Sequence, residues 1–120
     1  MSDQRKEPRK KLIAFTLVYG LRPKVLLGYL VDLTMRGARV EGEHSVEVNK
    51  QFDLAIDFPG GLPEIPPSPF AISARVARCA PDETPRYYNI GFEFTDMTPE
   101  QSKVIEAIIH RYAFHKEPVE

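Results

Sequence analysis

Hydrophobic and polar positions alternate in three segments of this chain, which is the pattern of a β-strand with one buried face. The segments are residues 52–58 (FDLAIDF), 70–76 (FAISARV) and 88–94 (YNIGFEF). Two apolar runs precede them, at residues 12–19 and 25–31, and the turn-like sequence GLRP separates these runs. Because both runs are rich in β-branched and aromatic residues, they predict an antiparallel hairpin.

The hydrophobic period changes near the C-terminus. Apolar residues recur there at helical spacing: Val104, Ile105, Ile108, Ile109 and Tyr112. Thr98 precedes Pro99, and Gln101 follows three positions after Thr98, which is the arrangement of a capping box. We therefore predict an amphipathic helix over residues 98–115 whose apolar stripe belongs to the core.

A short strand at residues 38–41, after a polar turn at residues 32–37, brings the predicted strands to about six. Short strands must satisfy the hydrogen bonds of their edges, and closing the sheet into a barrel does this. We predict an all-β dominated fold, a six-stranded antiparallel β-barrel over residues 12–97, followed by the C-terminal α-helix. The proline-rich residues 59–69 predict a loop.

Length and composition indicate one domain, since 120 residues with 42% hydrophobic content can bury a single core. Cys79 is the only cysteine, so no intrachain disulfide can form. No apolar stretch reaches the ~20 residues that a membrane span needs, and the first residues lack the apolar core of a secretory signal. We predict a cytoplasmic protein without membrane insertion.

Positive charge is concentrated at the N-terminus although the net charge of the chain is only -1. The basic residues there are Arg5, Lys6, Arg9, Lys10 and Lys11. We interpret residues 1–11 as a flexible basic arm on an acidic body. Such an arm can be a solvated tail, a nucleic-acid or membrane contact, or half of a small anion site.

Two short polar motifs flank the first predicted hairpin. Residues 5–9 (RKEPR) form an R-x-x-x-R motif, and residues 32–37 (DLTMRG) form a D-x-T-x-x-G motif. Arginine pairs bidentately with phosphate or with guanine O6 and N7, and it stacks on planar rings. The second motif adds a carboxylate, a hydroxyl and a glycine at a turn, so the two motifs together suit a guanine nucleotide.

In order and spacing, these motifs resemble those of the PilZ domain, a bacterial receptor module for cyclic di-GMP. The family pattern is R-x-x-x-R before the first barrel strand and [D/N]-x-S-x-x-G after the second. Residues 88–94, followed by a helix, look like its closing strand and terminal helix. The resemblance extends from Arg5 to Tyr112, and it departs from the pattern at Thr34, where the family usually has serine.

The resemblance implies a cyclic di-GMP site with five main residues: Arg5, Arg9, Asp32, Thr34 and Gly37. Three further candidates could add charge around it: Lys6, Lys10 and Arg36. The arginines would hold phosphates and guanine faces, and the arm before Lys10 would close over the ligand. Asp32 would accept from N1 and N2 of guanine, although it could instead cap a turn.

Thr34 retains the hydroxyl that can donate to a phosphate oxygen, while its extra methyl group stiffens the side chain. Gly37 would serve either a positive-φ turn or a close approach of the backbone to the ligand, and a purely structural role is equally open.

The remaining polar residues do not predict an enzyme. His44, His110 and His115 lack metal-ligand spacing, and a single cysteine provides no zinc site. Gly60 and Gly61 are not followed by the Lys-Ser/Thr pair of a phosphate loop. We therefore expect no catalysis, no metal and no cofactor other than the ligand.

The first functional hypothesis is a stand-alone receptor that binds cyclic di-GMP and relays the signal to a partner protein. The second is an adaptor of the same fold with weak or no nucleotide binding, which Thr34 leaves open. A third, weaker hypothesis is a single-stranded nucleic-acid binder, because small barrels with basic arms often bind such strands. The overall acidity of the chain argues against nucleic acid as the partner.

Overall fold

The structure is a computed structural model, and it describes residues 11–14, 16–58, 69–83 and 86–115. The described part of the chain forms eight strands and one helix. In chain order these are β1 (Lys11–Ala14), β2 (Leu17–Gly20), β3 (Val25–Leu33), β4 (Gly37–Gly42), β5 (Gln51–Ile56), β6 (Phe70–Pro81), β7 (Tyr88–Phe94), α1 (Pro99–Arg111) and β8 (Tyr112–His115).

Six strands close into a barrel in the order β2-β3-β4-β7-β6-β5. All neighbouring pairs in this barrel are antiparallel, including the pair of β2 and β5 that closes it. The predicted six-stranded antiparallel barrel with one C-terminal helix is therefore confirmed. The predicted hairpin of the two N-terminal runs is present as the pair of β2 and β3.

The alternating segments place their apolar side chains in one core. Leu54 and Ile56 on β5 and Ile90 on β7 are fully buried there. The helix contributes Val104, Ile105 and Ile108 to the same cluster, while Ile109 and Tyr112 pack against it partly buried. Each large apolar side chain that is buried contributes roughly 1.5–3 kcal/mol before entropy is subtracted, so the apolar stripe holds the helix to the barrel.

The helix begins with the predicted capping box and ends earlier than predicted. The Thr98 hydroxyl accepts from the Gln101 backbone N–H at 3.1 Å, and the Gln101 side chain accepts from the Thr98 N–H at 2.9 Å. The last helical residue is Arg111, whereas the hydrophobic period predicted a helix to residue 115. Tyr112–His115 instead form β8, because their backbone groups pair with β1.

The strand predicted over residues 12–19 is divided into β1 and β2. Only β2 belongs to the barrel, while β1 pairs in parallel with β8, about a hundred residues away. Both β1 and β8 contact β3. No helix in the described ranges is long and apolar enough to cross a membrane.

The described barrel strands show three register shifts, one of them between β2 and β3 at Val18 and Tyr19. The register between β3 and β4 shifts between Leu30 and Asp32, and the register between β6 and β7 shifts between Val76 and Arg78. Such bulges bend a strand and redirect its side chains, and they are common next to binding sites. Beyond the bulge in β3, Asp32 is exposed at the penultimate position of the strand, directly opposite Arg39 on β4.

Candidate ligand site on the outer face of the barrel

A tight turn joins β3 to β4, and the hydroxyl of Thr34 organises it. This hydroxyl accepts from the backbone N–H groups of Arg36 and Gly37, both at 3.2 Å. The Thr34 backbone N–H donates to the carbonyl oxygen of Gly37 at 2.9 Å. The hydroxyl itself donates to the Gly37 carbonyl oxygen at 3.4 Å, a long hydrogen bond. The Thr34 side chain therefore has a structural role in the turn.

Asp32 lies within β3, so it belongs to the strand rather than to the polar turn predicted over residues 32–37. One of its carboxylate oxygens accepts from the neighbouring backbone N–H of Leu33 at 3.0 Å. The side chain is exposed. Because this carboxylate is already exposed, it can accept hydrogen bonds from a ligand without a rearrangement of the core.

Gly37 is needed for close packing of two strands. It does not have a positive φ, which among the described glycines is found at Gly28, so the predicted positive-φ turn is wrong at this position. A Cβ atom at Gly37 would overlap the carbonyl oxygen of Phe92 on β7. The glycine thus lets β4 approach β7, and the backbone hydrogen bond from Phe94 to the Arg36 carbonyl, at 2.8 Å, fixes the turn against β7.

These residues border an open depression on the outer face of the barrel, of about 390 Å³, which we call the outer depression. A volume of this size falls in the range of small-molecule sites. Four predicted residues line it: Asp32, Thr34, Arg36 and Gly37. The structure thus brings together every member of the second motif that the sequence singled out.

Other lining residues were not predicted from the sequence. The charged ones are Arg39 on β4, Arg75 on β6 and Glu93 on β7. Their only signal in the sequence is that each occupies a polar position of a predicted strand. Since that signal does not say which strands are neighbours, it could not assign them to one site.

Arg75 is held between two oxygen acceptors at the edge of the outer depression. Its Nη1 donates to Oδ1 of Asn49 at 2.8 Å, and its Nη2 forms an ion pair with Oε1 of Glu93. The side chains of Arg75 and Glu93 are 37% and 54% exposed. Gly37, Glu93 and Arg75 are register partners on three adjacent strands, and all three line the outer depression.

The arginines of the first motif, Arg5 and Arg9, lie outside the described residues, and so do Lys6 and Lys10. The first described strand, β1, begins at Lys11 and contacts β3, the strand that carries Asp32.

Within the described part of the chain, no group of three or more histidine, cysteine, aspartate or glutamate residues could hold a metal ion. His44 and His110 are both exposed. Cys79 is half-buried, and its sulfur accepts from the backbone N–H of Val46 at 3.5 Å.

Comparison with known proteins places the chain in a family. The PilZ domain family matches residues 3–111, so this chain belongs to the PilZ domain family. Among solved structures, the Bacillus subtilis inhibitor of motility (MotI/DgrA) is similar, with a TM-score of 0.62 and 16% sequence identity. That similarity covers 91% of this chain and 51% of the other, so this chain spans about half the length of that protein. Among curated proteins, none shows significant sequence similarity.

Proposed function

We propose that this protein binds cyclic di-GMP in the outer depression. The observation that carries the proposal is that Asp32, the Thr34 turn and three arginines line one open depression with a volume of about 390 Å³. The three arginines are Arg36, Arg39 and Arg75. A ligand with two phosphates and two guanine bases needs cations, planar stacking partners and acceptors for N1 and N2, and this set of side chains offers all three.

In this proposal Arg5 and Arg9 complete the site from the N-terminal side. Their guanidinium groups hold phosphates and stack on guanine, while Asp32 accepts from the pairing edge of one base. Adenine has no matching donors on that edge, so Asp32 selects guanine. Charge-assisted hydrogen bonds, at roughly 1.5–3 kcal/mol each, offset the ~1–2 kcal/mol per residue that ordering an arm costs.

The ligand is bound and not transformed, and the consequence of binding is a changed surface for a partner protein. Cyclic dinucleotide signalling takes place in the cytoplasm, which is where we propose that this protein acts. A downstream protein partner is part of the proposal.

A protein-interaction adaptor with weak or no nucleotide binding is the second candidate. The observation that favours it is the half-exposed pair Val25 and Leu26, at 47% and 48%, beside a second cavity of the barrel. Two adjacent exposed aliphatic side chains at a cavity suit contact with another protein.

Calorimetric titration with cyclic di-GMP separates the two candidates. The intact chain should bind, and Arg9→Ala should weaken binding about tenfold or more, because a charge-assisted contact is lost. Arg86→Ala is the matched control, since Arg86 is exposed and does not line the outer depression. No heat with the intact chain at high micromolar ligand would overturn the receptor and favour the adaptor. Equal binding by the intact chain and Arg9→Ala would place the site elsewhere.

A further inference from the structure

One arginine of the outer depression is already paired with a carboxylate of the protein. Its charged lining residues are three arginines and two carboxylates, and one carboxylate, Glu93, is in an ion pair with Arg75. In the proposed function Asp32 accepts hydrogen bonds from guanine, whereas a second carboxylate at a site for a dianionic ligand opposes binding. Within a Debye length of about 10 Å, such repulsion is only partly screened.

We propose, building on the proposed function, that Glu93 is a built-in competitor for Arg75. In this exchange a ligand phosphate replaces the Glu93 carboxylate on Nη2 of Arg75. The side chain of Glu93 is 54% exposed and lines the open outer depression. The carboxylate can therefore swing into solvent when a stronger anion arrives.

Asn49 makes the exchange favourable, because it holds Arg75 by the other nitrogen. The Asn49 amide oxygen accepts from Nη1, while its backbone N–H donates to the Val76 carbonyl at 2.7 Å, which anchors Asn49 to β6. When Glu93 leaves, the guanidinium keeps its orientation, and Nη2 faces the depression with its donors available. A cation that is already oriented loses less entropy on binding.

This ion pair is half-exposed, so its strength is modest. Exposed ion pairs contribute about 0.2–1 kcal/mol, which corresponds to about a 1.4-fold to 5-fold change in a binding constant. Glu93→Gln keeps the size of the side chain and removes its charge. We expect this variant to bind cyclic di-GMP about 1.4-fold to 5-fold more tightly than the intact chain.

The experiment is calorimetry with cyclic di-GMP on full-length variants at a fixed ionic strength of about 0.1 M. Arg75→Ala should weaken binding about tenfold or more. In the double variant with both substitutions, the gain from Glu93→Gln should disappear, because no arginine remains to be released. Glu43→Gln is the matched control: it removes the same charge from an exposed residue that lines the other cavity, and affinity should stay unchanged.

Four results would overturn the competitor role. Weaker binding by Glu93→Gln would make Glu93 a direct ligand contact, and unchanged binding would make it irrelevant. An equal gain from Glu43→Gln would assign the effect to net charge. A gain that persists without Arg75 would assign it to direct repulsion. If instead the intact chain does not bind, the proposed function itself fails, so the two failures are distinguishable.

Discussion

The β3–β4 hairpin presents opposite chemistry at its two ends. At the turn end, the outer depression is open and lined by Arg36, Arg39 and Arg75. At the other end lies a cavity of about 250 Å³, which we call the apolar hollow. The side chains that characterise the apolar hollow are Val25, Leu26, Glu43, His44 and Tyr87. Among the described residues that line it, none is a lysine or an arginine.

The difference shows how a chain with a net charge of -1 can still gather several arginines on one surface. Attraction between charges separated by more than a Debye length is largely screened, so the local set of side chains decides which ligand is attracted. The arginines at the turn end suit phosphate, whereas the exposed aliphatic side chains at the other end suit contact with protein. The same two strands thus carry two surfaces of different chemistry, one at each end of the hairpin.

Gly37→Ala should have the largest effect, because it disturbs strand pairing beside the outer depression and not at the end of the hairpin beside the apolar hollow. The new Cβ atom overlaps the Phe92 carbonyl oxygen, so β4 must move away from β7. We expect a loss of about 2–3 kcal/mol in the free energy of unfolding, together with loss of cyclic di-GMP binding. Chemical denaturation followed by circular dichroism measures the first effect, and calorimetry measures the second.

Gly91→Ala is the control for that substitution. A Cβ atom at Gly91 would meet Cγ of Arg78 at 3.0 Å, an exposed side chain that can rotate away. This variant should stay within about 0.5 kcal/mol of the intact chain. Equal stability of Gly37→Ala and Gly91→Ala would contradict the close approach of β4 and β7.

Asp32→Ala should give the next largest effect, and it tests whether Asp32 selects guanine over adenine. Removal of the carboxylate should lower the affinity for cyclic di-GMP about tenfold or more. It should also narrow the preference for cyclic di-GMP over cyclic di-AMP, which competition titrations would measure. Glu43→Ala, at the apolar hollow, should leave both quantities unchanged. A preserved preference in Asp32→Ala would remove Asp32 from base recognition.

Substitutions of Thr34 should have the smallest effect. They distinguish the role of the Thr34 hydroxyl in the turn from a role in ligand binding. Thr34→Val removes the acceptor of two backbone N–H groups and should cost about 0.5–2 kcal/mol in thermal or chemical unfolding, as loss of a cap does. Thr34→Ser keeps the hydroxyl and should retain both stability and affinity. If Thr34→Val is as stable as Thr34→Ser, the hydroxyl does not hold the turn.

Local features of the fold could be predicted from the sequence because they depend on residues close together in the chain. The alternation in residues 52–58 and the Thr98–Gln101 capping box are of this kind, and both are present. The candidate residues of the second motif, Asp32 to Gly37, could be named for the same reason, and they line the outer depression. Each of these features is determined by spacing within about one turn or one strand.

Features that depend on distant pairing could not be predicted in this way. Arg75 and Glu93 join the site because β6 and β7 pair, and Gly37 lies opposite Glu93 because β4 pairs with β7 across more than fifty positions. The early end of α1 has a similar cause, since Tyr112–His115 pair with β1. No spacing rule within a single segment contains these contacts.

Amide NMR of the nitrogen-labelled chain, titrated with cyclic di-GMP, shows directly where the ligand binds. The binding account predicts chemical-shift changes at residues 34–39 and at Glu93, which border the outer depression. It predicts unchanged signals at residues 26–28 and 42–44, which border the apolar hollow. Changes confined to the apolar hollow, or no changes at saturating ligand, would contradict a cyclic di-GMP site at the turn end of the hairpin.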